Sequence, residues 1–199
     1  YDIWRQFGNS GWSYRDVLPY FKRAEDQERG ASELHGAGGP LGVSDVKMDN
    51  PICEAFVKSC IADGIPLTDD FNGVNQEGVG YYQLTNRNGR RCSTAVGYLH
   101  PVSKRPNLTV ITNAEVQKLV LSGRRVTGVV YRRDGVETVV GAHREILLAA
   151  GAIGSPQLLQ VSGIGPGAVL QKAGVTVRHD LPGVGENLQD HYQARFVYE

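Results

Sequence analysis

Apolar residues recur every three or four positions in two early stretches of the chain, a spacing that predicts amphipathic helices. The first stretch covers residues 12–28, where Ser13 and Asp16 are spaced as a capping box. The second runs from Pro51 to Gly64, after an asparagine that is placed to cap its start. The apolar side of this second helix predicts that it packs in the core.

From residue 106 onwards the pattern changes to short β-type runs joined by tight turns. Asp134-Gly135 stands between two alternating runs and predicts a hairpin. Along the whole chain, the runs predicted as strands are 41–44, 81–85, 108–112, 116–121, 126–132, 137–141, 145–149 and 175–177. After the run 145–149, Ser155 is placed to cap a helix at residues 156–162.

Charge and hydropathy narrow the class of protein. The 199 residues include 21 Lys and Arg against 21 Asp and Glu, so the formal net charge is +0. The basic excess that is typical of nucleic-acid binding and of polybasic membrane anchors is therefore missing. No apolar run approaches the roughly 20 residues that span a bilayer. We expect a globular protein with no nucleic-acid partner and no transmembrane segment.

The cysteines indicate packing rather than metal chemistry. Cys53, Cys60 and Cys92 are an odd number and lack the spacing of a metal site. We expect them to be small packing residues in a reducing compartment, which favours a cytoplasmic location. No metal site is predicted.

Glycine is in excess, at 25 of 199 residues, and one cluster directly follows the run 145–149. Gly151 and Gly154 allow a backbone to approach a ligand, and the following helix start offers unpaired N–H groups and a partial positive charge. Such a turn suits a dinucleotide. It is not the GxGxxG fingerprint, and the acidic residue expected about 20 positions later is not evident. A tight glycine turn for helix–strand packing is therefore an alternative.

Residues 151–166, GAIGSPQLLQVSGIGP, closely resemble the second signature of the glucose–methanol–choline (GMC) family of FAD oxidoreductases. Further segments resemble the family in the same order along the chain. They are residues 4–25, residues 35–43 with an HG–GGPL–V pattern, residues 76–101 followed by 105–108, which resemble choline-dehydrogenase-like members, and residues 181–191. Because these segments are collinear, the resemblance spans nearly the whole chain.

The resemblance implies a mixed α+β fold. Part of an FAD-binding α/β domain, with β-strands 108–149 and helix 156–162, would be joined to part of a substrate domain of helices and antiparallel strands. Residues 1–105 would be substrate-side and peripheral, residues 106–165 would belong to the FAD-binding domain, and residues 166–199 would begin a second substrate-domain segment.

The resemblance also implies which residues lie near the cofactor. The main chain at Val116 would contact the adenine, while the same residue also reads as an ordinary strand position. Ala150, Gly151 and Ala152 would lie near the adenosine half of FAD. These four residues are the candidate cofactor-binding residues.

The implied reaction is oxidation of the CH–OH group of a small alcohol, choline-like or another primary alcohol, with hydride transfer to flavin N5. The family's GxGxxG loop and catalytic histidine would lie outside these 199 residues. None of the five histidines occupies the catalytic place, including His191 beside Asp190. No catalytic residue is therefore predicted, and the chain by itself is expected to be inactive.

Two other functions stay open. The chain could be a non-catalytic module that holds neither FAD nor substrate, and a flavin absorption band would separate this hypothesis from the first. An unrelated NAD-binding protein is disfavoured by the missing fingerprint. In each case the strand 145–149 would present an apolar edge, which predicts self-association.

Overall fold

The computed structural model describes residues 1–47 and 49–197. They form two compact units, Tyr1–Thr109 and Val110–Glu199, and the architecture mixes helices with small sheets, as predicted. The last two residues of the predicted segment 166–199 lie outside the described part. The assignment of the units to FAD-binding or substrate domains stays a prediction. Across the described residues, no helix is long and apolar enough to cross a membrane.

The first unit combines short helices with short strands. Its helices are α1 (Asp2–Gln6), α2 (Tyr14–Ala24) and α3 (Pro51–Ala62), and its strands are β1 (Glu25–Gln27), β2 (Leu41–Val43), β3 (Asn86–Arg87) and β4 (Arg90–Arg91). β1 and β2 pair in parallel, while β3 and β4 form an antiparallel hairpin. A π-helical turn, Ala95–Leu99, and a 3₁₀ turn, His100–Val102, follow the hairpin.

The start of α2 confirms the predicted capping box. The Asp16 amide donates to the Ser13 hydroxyl oxygen at 3.2 Å, and the Ser13 amide donates to the Asp16 carboxylate at 3.0 Å. Both amides lie at a helix start, where the helix itself provides no acceptor. On the inner face of α2, the side chain of Val17 is buried.

The third helix, α3, is capped as predicted but does not pack in the core. The Asn50 side-chain oxygen accepts the amides of Ile52 at 3.0 Å and Cys53 at 3.5 Å. No residue of α3 is buried by the part of the chain that the structure describes, and Ile52 is 79 % exposed. The prediction of a core helix is therefore wrong. Helical spacing shows which face can be covered, and it carries no information on whether another element covers it.

Cys92 is a packing residue, as predicted for the cysteines. Its side chain is buried, and its sulfur accepts the amide of Gly42 at 3.3 Å. Gly42 has no room for a side chain, because a Cβ atom there would lie 2.8 Å from the Asn86 carbonyl oxygen. The sulfur and the glycine together allow β2 to approach β3 closely.

The second unit is built around an antiparallel sheet. Its strands are β5 (Glu115–Ser122), β6 (Arg125–Arg133) and β7 (Val136–Gly141), in the order β5-β6-β7. Asp134 and Gly135 join β6 to β7 with φ angles of 51° and 79°. A two-residue type I′ turn needs positive φ at both positions, so the predicted hairpin is confirmed.

The remaining elements of the second unit are α4 (Gly151–Val161), β8 (Ile164–Gly165), α5 (Gly167–Lys172) and β9 (His179–Asp180). β8 pairs in parallel with β9. α4 begins at Gly151 instead of residue 156, so Ser155 does not cap the helix from outside. Its hydroxyl oxygen accepts the Ala150 amide at 3.0 Å. The predicted glycine loop is therefore the first turn of the helix itself.

Four runs predicted as strands form no strand in the structure, namely 81–85, 108–112, 145–149 and 175–177. Within them, Leu84 makes an isolated bridge to Ser44. Alternating apolar residues supply the side-chain pattern of a strand, but a strand also needs a neighbour whose N–H and C=O groups pair with its own. No described segment offers such a ladder to these runs.

A buried serine joins the sheet of the second unit to α4. The amide of Leu119, in β5, donates to the Ser162 hydroxyl oxygen at 2.8 Å. The same hydroxyl donates to the carbonyl oxygen of Leu158 at 2.6 Å. All three residues are buried, so this one hydroxyl serves two buried backbone groups that belong to different elements.

We expect Ser162→Ala to destabilise the protein, because it leaves the buried Leu119 amide without an acceptor. The free energy of unfolding, measured by urea denaturation, should fall by roughly 1–3 kcal/mol. Ser122→Ala is the matched control, since Ser122 is exposed at the end of β5. An equal loss in both variants, or no loss in Ser162→Ala, would contradict the role of this hydroxyl.

Candidate functional site

The start of α4 exposes backbone donors. Gly151 has a φ angle of 85°, which glycine adopts without the strain that an L side chain would cause. The amides of Gly151, Ala152 and Ile153 belong to the first turn, where helix geometry provides no acceptor. Within this fully described helix the first turn carries no acidic residue, so no carboxylate there neutralises the positive end of the helix dipole. A polar or anionic ligand group would be stabilised at this point.

The predicted residues Ala150, Gly151 and Ala152 lie together at this helix start. All three are exposed, and their side chains are no larger than a methyl group. A Cβ atom on Gly154 would lie 3.2 Å from the Ala150 Cβ, so the turn itself is tightly packed. The backbone is therefore both compact and accessible. Contact of these residues with a nucleotide stays a prediction.

Val116 lies in β5 opposite Tyr131 and is 43 % exposed. The hydrogen bond between β5 and α4 runs through Ser162, which follows the last turn of α4. Ser162 lies about 16 Å along the helix axis from the start of α4, given the 1.5 Å rise per residue of an α-helix. Among the hydrogen bonds of the described residues, none joins Val116 directly to Ala150–Ala152. A shared contact of these residues with FAD stays a prediction.

A cavity of about 280 Å³ lies beside the first turns of α4. It is lined by Ala152, Ile153, Pro156, Gln157 and Gln160 from the helix and by Gly185, Glu186 and Leu188 from a later segment. Two of the segments that carry the family resemblance, 151–166 and 181–191, therefore meet at this cavity.

Gln160 holds the later segment against α4. Its side-chain amide donates to the Val184 carbonyl oxygen at 2.9 Å. Gly185 follows with a φ angle of 86°, and a Cβ atom there would lie 2.6 Å from the Gln160 side-chain nitrogen. The backbone angle therefore favours glycine at this position, and a Cβ atom would also push the end of the Gln160 side chain aside.

Asp190 and His191 do not form an oriented pair. Both side chains are fully exposed, and His191 Nδ1 lies 3.9 Å from an Asp190 carboxylate oxygen. A general base needs a hydrogen bond that orients its imidazole. The geometry therefore gives His191 no support for a catalytic role.

His35 lies between two carboxylates in the first unit. Its Nδ1 is 3.0 Å from the Glu25 carboxylate, and its Nε2 is 2.8 Å from Asp70 Oδ2. Burial lowers the pKa of His35, but the hydrogen bonds and negative charges of Glu25 and Asp70 outweigh burial and raise that pKa above its ordinary value. Sequence reasoning missed this cluster because its acidic members stand 10 and 35 residues from His35 and match no motif.

The chain also matches a family of known proteins. The family described as GMC oxidoreductase matches residues 1–193. The chain belongs to the GMC oxidoreductase family. The resemblance drawn from the collinear segments is therefore confirmed.

Relatives of this GMC chain include proteins named oxygen-dependent choline dehydrogenase. The one from Paraburkholderia phymatum is 47 % identical over 202 residues, which cover 100 % of this chain and 35 % of the relative. The one from Photobacterium profundum is 46 % identical over 201 residues, with the same coverage. The GMC chain therefore spans about a third of the length of these relatives.

Solved structures agree on the fold. The crystal structure of pyridoxine 4-oxidase from Mesorbium loti has a TM-score of 0.82 at 36 % identity, covering 88 % of this chain and 35 % of that chain. An FAD-dependent oxidoreductase from Chaetomium thermophilum has a TM-score of 0.88 at 32 % identity, covering 96 % and 35 %. The mixed α/β architecture is therefore that of GMC oxidoreductases.

We expect Gly185→Ala to displace residues 183–188 from α4, because its Cβ would overlap the Gln160 side chain. A non-glycine residue in this backbone region costs on the order of 1–3 kcal/mol. Hydrogen exchange of the amides of residues 183–188 should therefore accelerate. Gly183→Ala is the matched control, since a Cβ there meets nothing within 4 Å. Equal exchange rates in the two variants would show that the close approach is not needed.

Proposed function

We propose that this chain is part of an FAD-dependent GMC enzyme that oxidises the CH–OH group of choline or another primary alcohol. The family match and the relatives named choline dehydrogenase, at 46 and 47 % identity, support this reaction. The FAD-dependent structural neighbour supports the cofactor. Within the chain, the observation that carries the proposal is the open start of α4, where Gly151 exposes its backbone.

The residues at the start of α4 fit a dinucleotide. Ala150, Gly151 and Ala152 add little side-chain volume, so a nucleotide can approach the main chain. The first-turn amides and the positive end of the helix dipole favour oxygen-rich, negatively charged ligand groups. Val116 would add a main-chain contact from β5. When bound, FAD would accept the hydride from the alcohol carbon.

In this proposal the base that removes the alcohol proton comes from outside the chain. A general base needs a ring nitrogen that is free to accept the proton. In this structure His35 offers no open nitrogen to a substrate, because both of its ring nitrogens lie against carboxylates. His191 is fully exposed and has no close hydrogen bond to orient it. The chain would thus contribute cofactor binding and structural support.

A second candidate function is the non-catalytic module. Such a module would hold neither FAD nor alcohol. For both candidates, self-association through residues 145–149 stays a prediction, and Leu147 in this run is 85 % exposed. A cytoplasmic location also stays a prediction.

We expect Ala152→Glu to abolish FAD binding, because it adds a bulky carboxylate where the nucleotide would lie. The helix should persist, since a negative charge near a helix start stabilises it by about 0.3–1 kcal/mol. Binding is measured by quenching of flavin fluorescence and by the flavin absorption band after gel filtration. Ala168→Glu is the matched control, because it places the same side chain at the second residue of α5.

The outcomes separate the candidates. FAD bound by the parent chain and by Ala168→Glu, but not by Ala152→Glu, supports the proposed site. A parent chain that binds no flavin supports the non-catalytic module, and equal binding by both variants contradicts a site at α4. The chain alone should not oxidise choline with artificial electron acceptors. Turnover that a flavin competitor stops would contradict the placement of the base outside the chain.

A further inference from the structure

The ring of His35 connects distant parts of the first unit. The side chain is 12 % exposed. Nδ1 lies 3.0 Å from each oxygen of the Glu25 carboxylate, and Nε2 lies 2.8 Å from Asp70 Oδ2. Glu25 belongs to β1, whereas Asp70 is at the tip of the loop 66–80. The ring therefore links β1 to a loop that follows about 40 residues later, a separation that local structure does not bridge.

Each of the two contacts, Nδ1 to Glu25 and Nε2 to Asp70, needs a hydrogen on the ring nitrogen that makes it. An ionised carboxylate only accepts hydrogen bonds, and a neutral imidazole carries a hydrogen on one of its nitrogens only. A neutral His35 would therefore donate to one carboxylate and turn a lone pair towards the other. A ring protonated on both nitrogens donates to both and carries a positive charge between two negative ones.

The nearby cations are already engaged with other groups. Lys22, from α2, donates to the carbonyl oxygens of Ser32 and Glu33 at 2.7 and 3.0 Å. Arg29 pairs with the Asp45 carboxylate at 2.7 Å. The charged residues of the elements around the ring include Lys22, Glu25, Asp26, Arg29, Glu33, Asp69, Asp70 and Glu77. Of these, Glu25 and Asp70 are the side chains that touch the imidazole.

The ring also borders a cavity of about 380 Å³. Ser32 and Leu34 line one side of it, and Thr68, Asp69 and Val74 line the other. His35 and Asp70 lie in the lining as well, so their contact joins the two sides. The width of the cavity therefore depends on whether this contact is made.

The base of the loop 66–80 is fixed independently of His35. The Thr68 amide donates to the Val79 carbonyl oxygen, and the Val79 amide donates to the Pro66 carbonyl oxygen, each at 2.9 Å. Arg29 donates to the carbonyl oxygen of Asp69 at 2.9 Å. Loss of the His35 contact would therefore loosen the tip, residues 70–73, whose remaining anchor is the packing of Phe71 on Tyr82, with ring centroids 4.6 Å apart. The rest of the loop would stay in place.

We propose that His35 is a proton-operated clamp that closes the tip 70–73 over this cavity when charged and releases the tip when neutral. Glu25 is the partner that a neutral ring keeps, because the Gly36 amide also fixes the Glu25 carboxylate, at 2.9 Å. Asp70 then faces a lone pair and moves away. The clamp lies within the first unit and does not depend on bound FAD.

The pKa of His35 is shifted in the direction that the clamp requires. Burial lowers the pKa of His35, but its bonds and attraction to Glu25 and Asp70 outweigh burial and raise the pKa above the ordinary value. The clamp therefore contributes fully below about pH 6.5, the ordinary pKa of histidine. Its contribution is lost as the pH rises through the higher pKa of the folded protein.

Hydrogen exchange and NMR titration test the clamp in the chain. The ring resonances of His35 should titrate above pH 6.5, the ordinary pKa. Over the same pH interval, the amides of Asn72 and Gly73, which bond to Asp70, should lose protection. Beyond the intrinsic pH effect, the loss of protection should follow the titration curve of the His35 ring. The amides of Thr68 and Val79, at the base of the loop, should keep their protection.

Asp70→Asn should remove the pH dependence without opening the clamp. The amide group that this variant introduces has the same shape and can donate to Nε2 of a neutral ring, while Nδ1 still donates to Glu25. The pKa of His35 should fall towards its ordinary value, and protection of the tip should no longer change with pH. Asp69→Asn is the matched control, because Asp69 meets Arg29 through its carbonyl oxygen and not through its carboxylate.

Three results would overturn the proposal. The first is a His35 ring that does not titrate above its ordinary pKa, since a carboxyl group would then hold the shared proton. The second is tip protection that stays constant in the parent chain while the ring titrates. The third is an unchanged pH dependence in Asp70→Asn, or its loss in Asp69→Asn.

Discussion

Both units depend on side chains that satisfy backbone groups between elements. Strands such as β1 and β3 are three and two residues long, too short to hold the long loops by ladder hydrogen bonds alone. The Ser162 hydroxyl, the Gln160 amide and the Cys92 sulfur fill this role by bonding to main-chain groups of other segments. A buried N–H or C=O group without a partner is costly, so these few polar side chains decide where the segments lie.

Sequence reasoning succeeded where a signal is local. The Ser13–Asp16 box and the Asp134-Gly135 turn each lie within four consecutive residues, and their chemistry is complete at that range. It failed where the outcome depends on a distant neighbour. The runs 108–112 and 145–149 have a strand pattern but no described partner, and on the apolar side of α3 the side chains of Ile52 and Phe56 stay exposed. The sequence pattern shows which element a segment is able to form, and packing against other segments decides whether that element forms.

Of the candidate sites, one could be predicted from consecutive residues and the other forms only when distant residues meet. The family resemblance led directly to the start of α4, because its glycine and alanine residues form one contiguous motif. The acid–histidine–acid cluster could not be found this way, since Glu25, His35 and Asp70 meet only after folding. A search of the sequence for a histidine with an adjacent acid leads instead to His179 beside Asp180 and to His191 beside Asp190. The exposed side chain of His191 is not oriented by its neighbour. Adjacency in sequence is a poor guide to paired side chains.

The exposed helix α3 has a consequence for how the molecule responds to heat. With no residue buried by the described chain, its 12 residues are held by the Asn50 cap, by an ion pair between Glu54 and Lys58, and by their own turns. Isolated helices of this length are marginal in water. On warming, α3 should fray while the sheet β5-β6-β7 is still intact. The loss of helical circular dichroism would then begin early and gradually, and a single melting temperature would not describe the whole molecule.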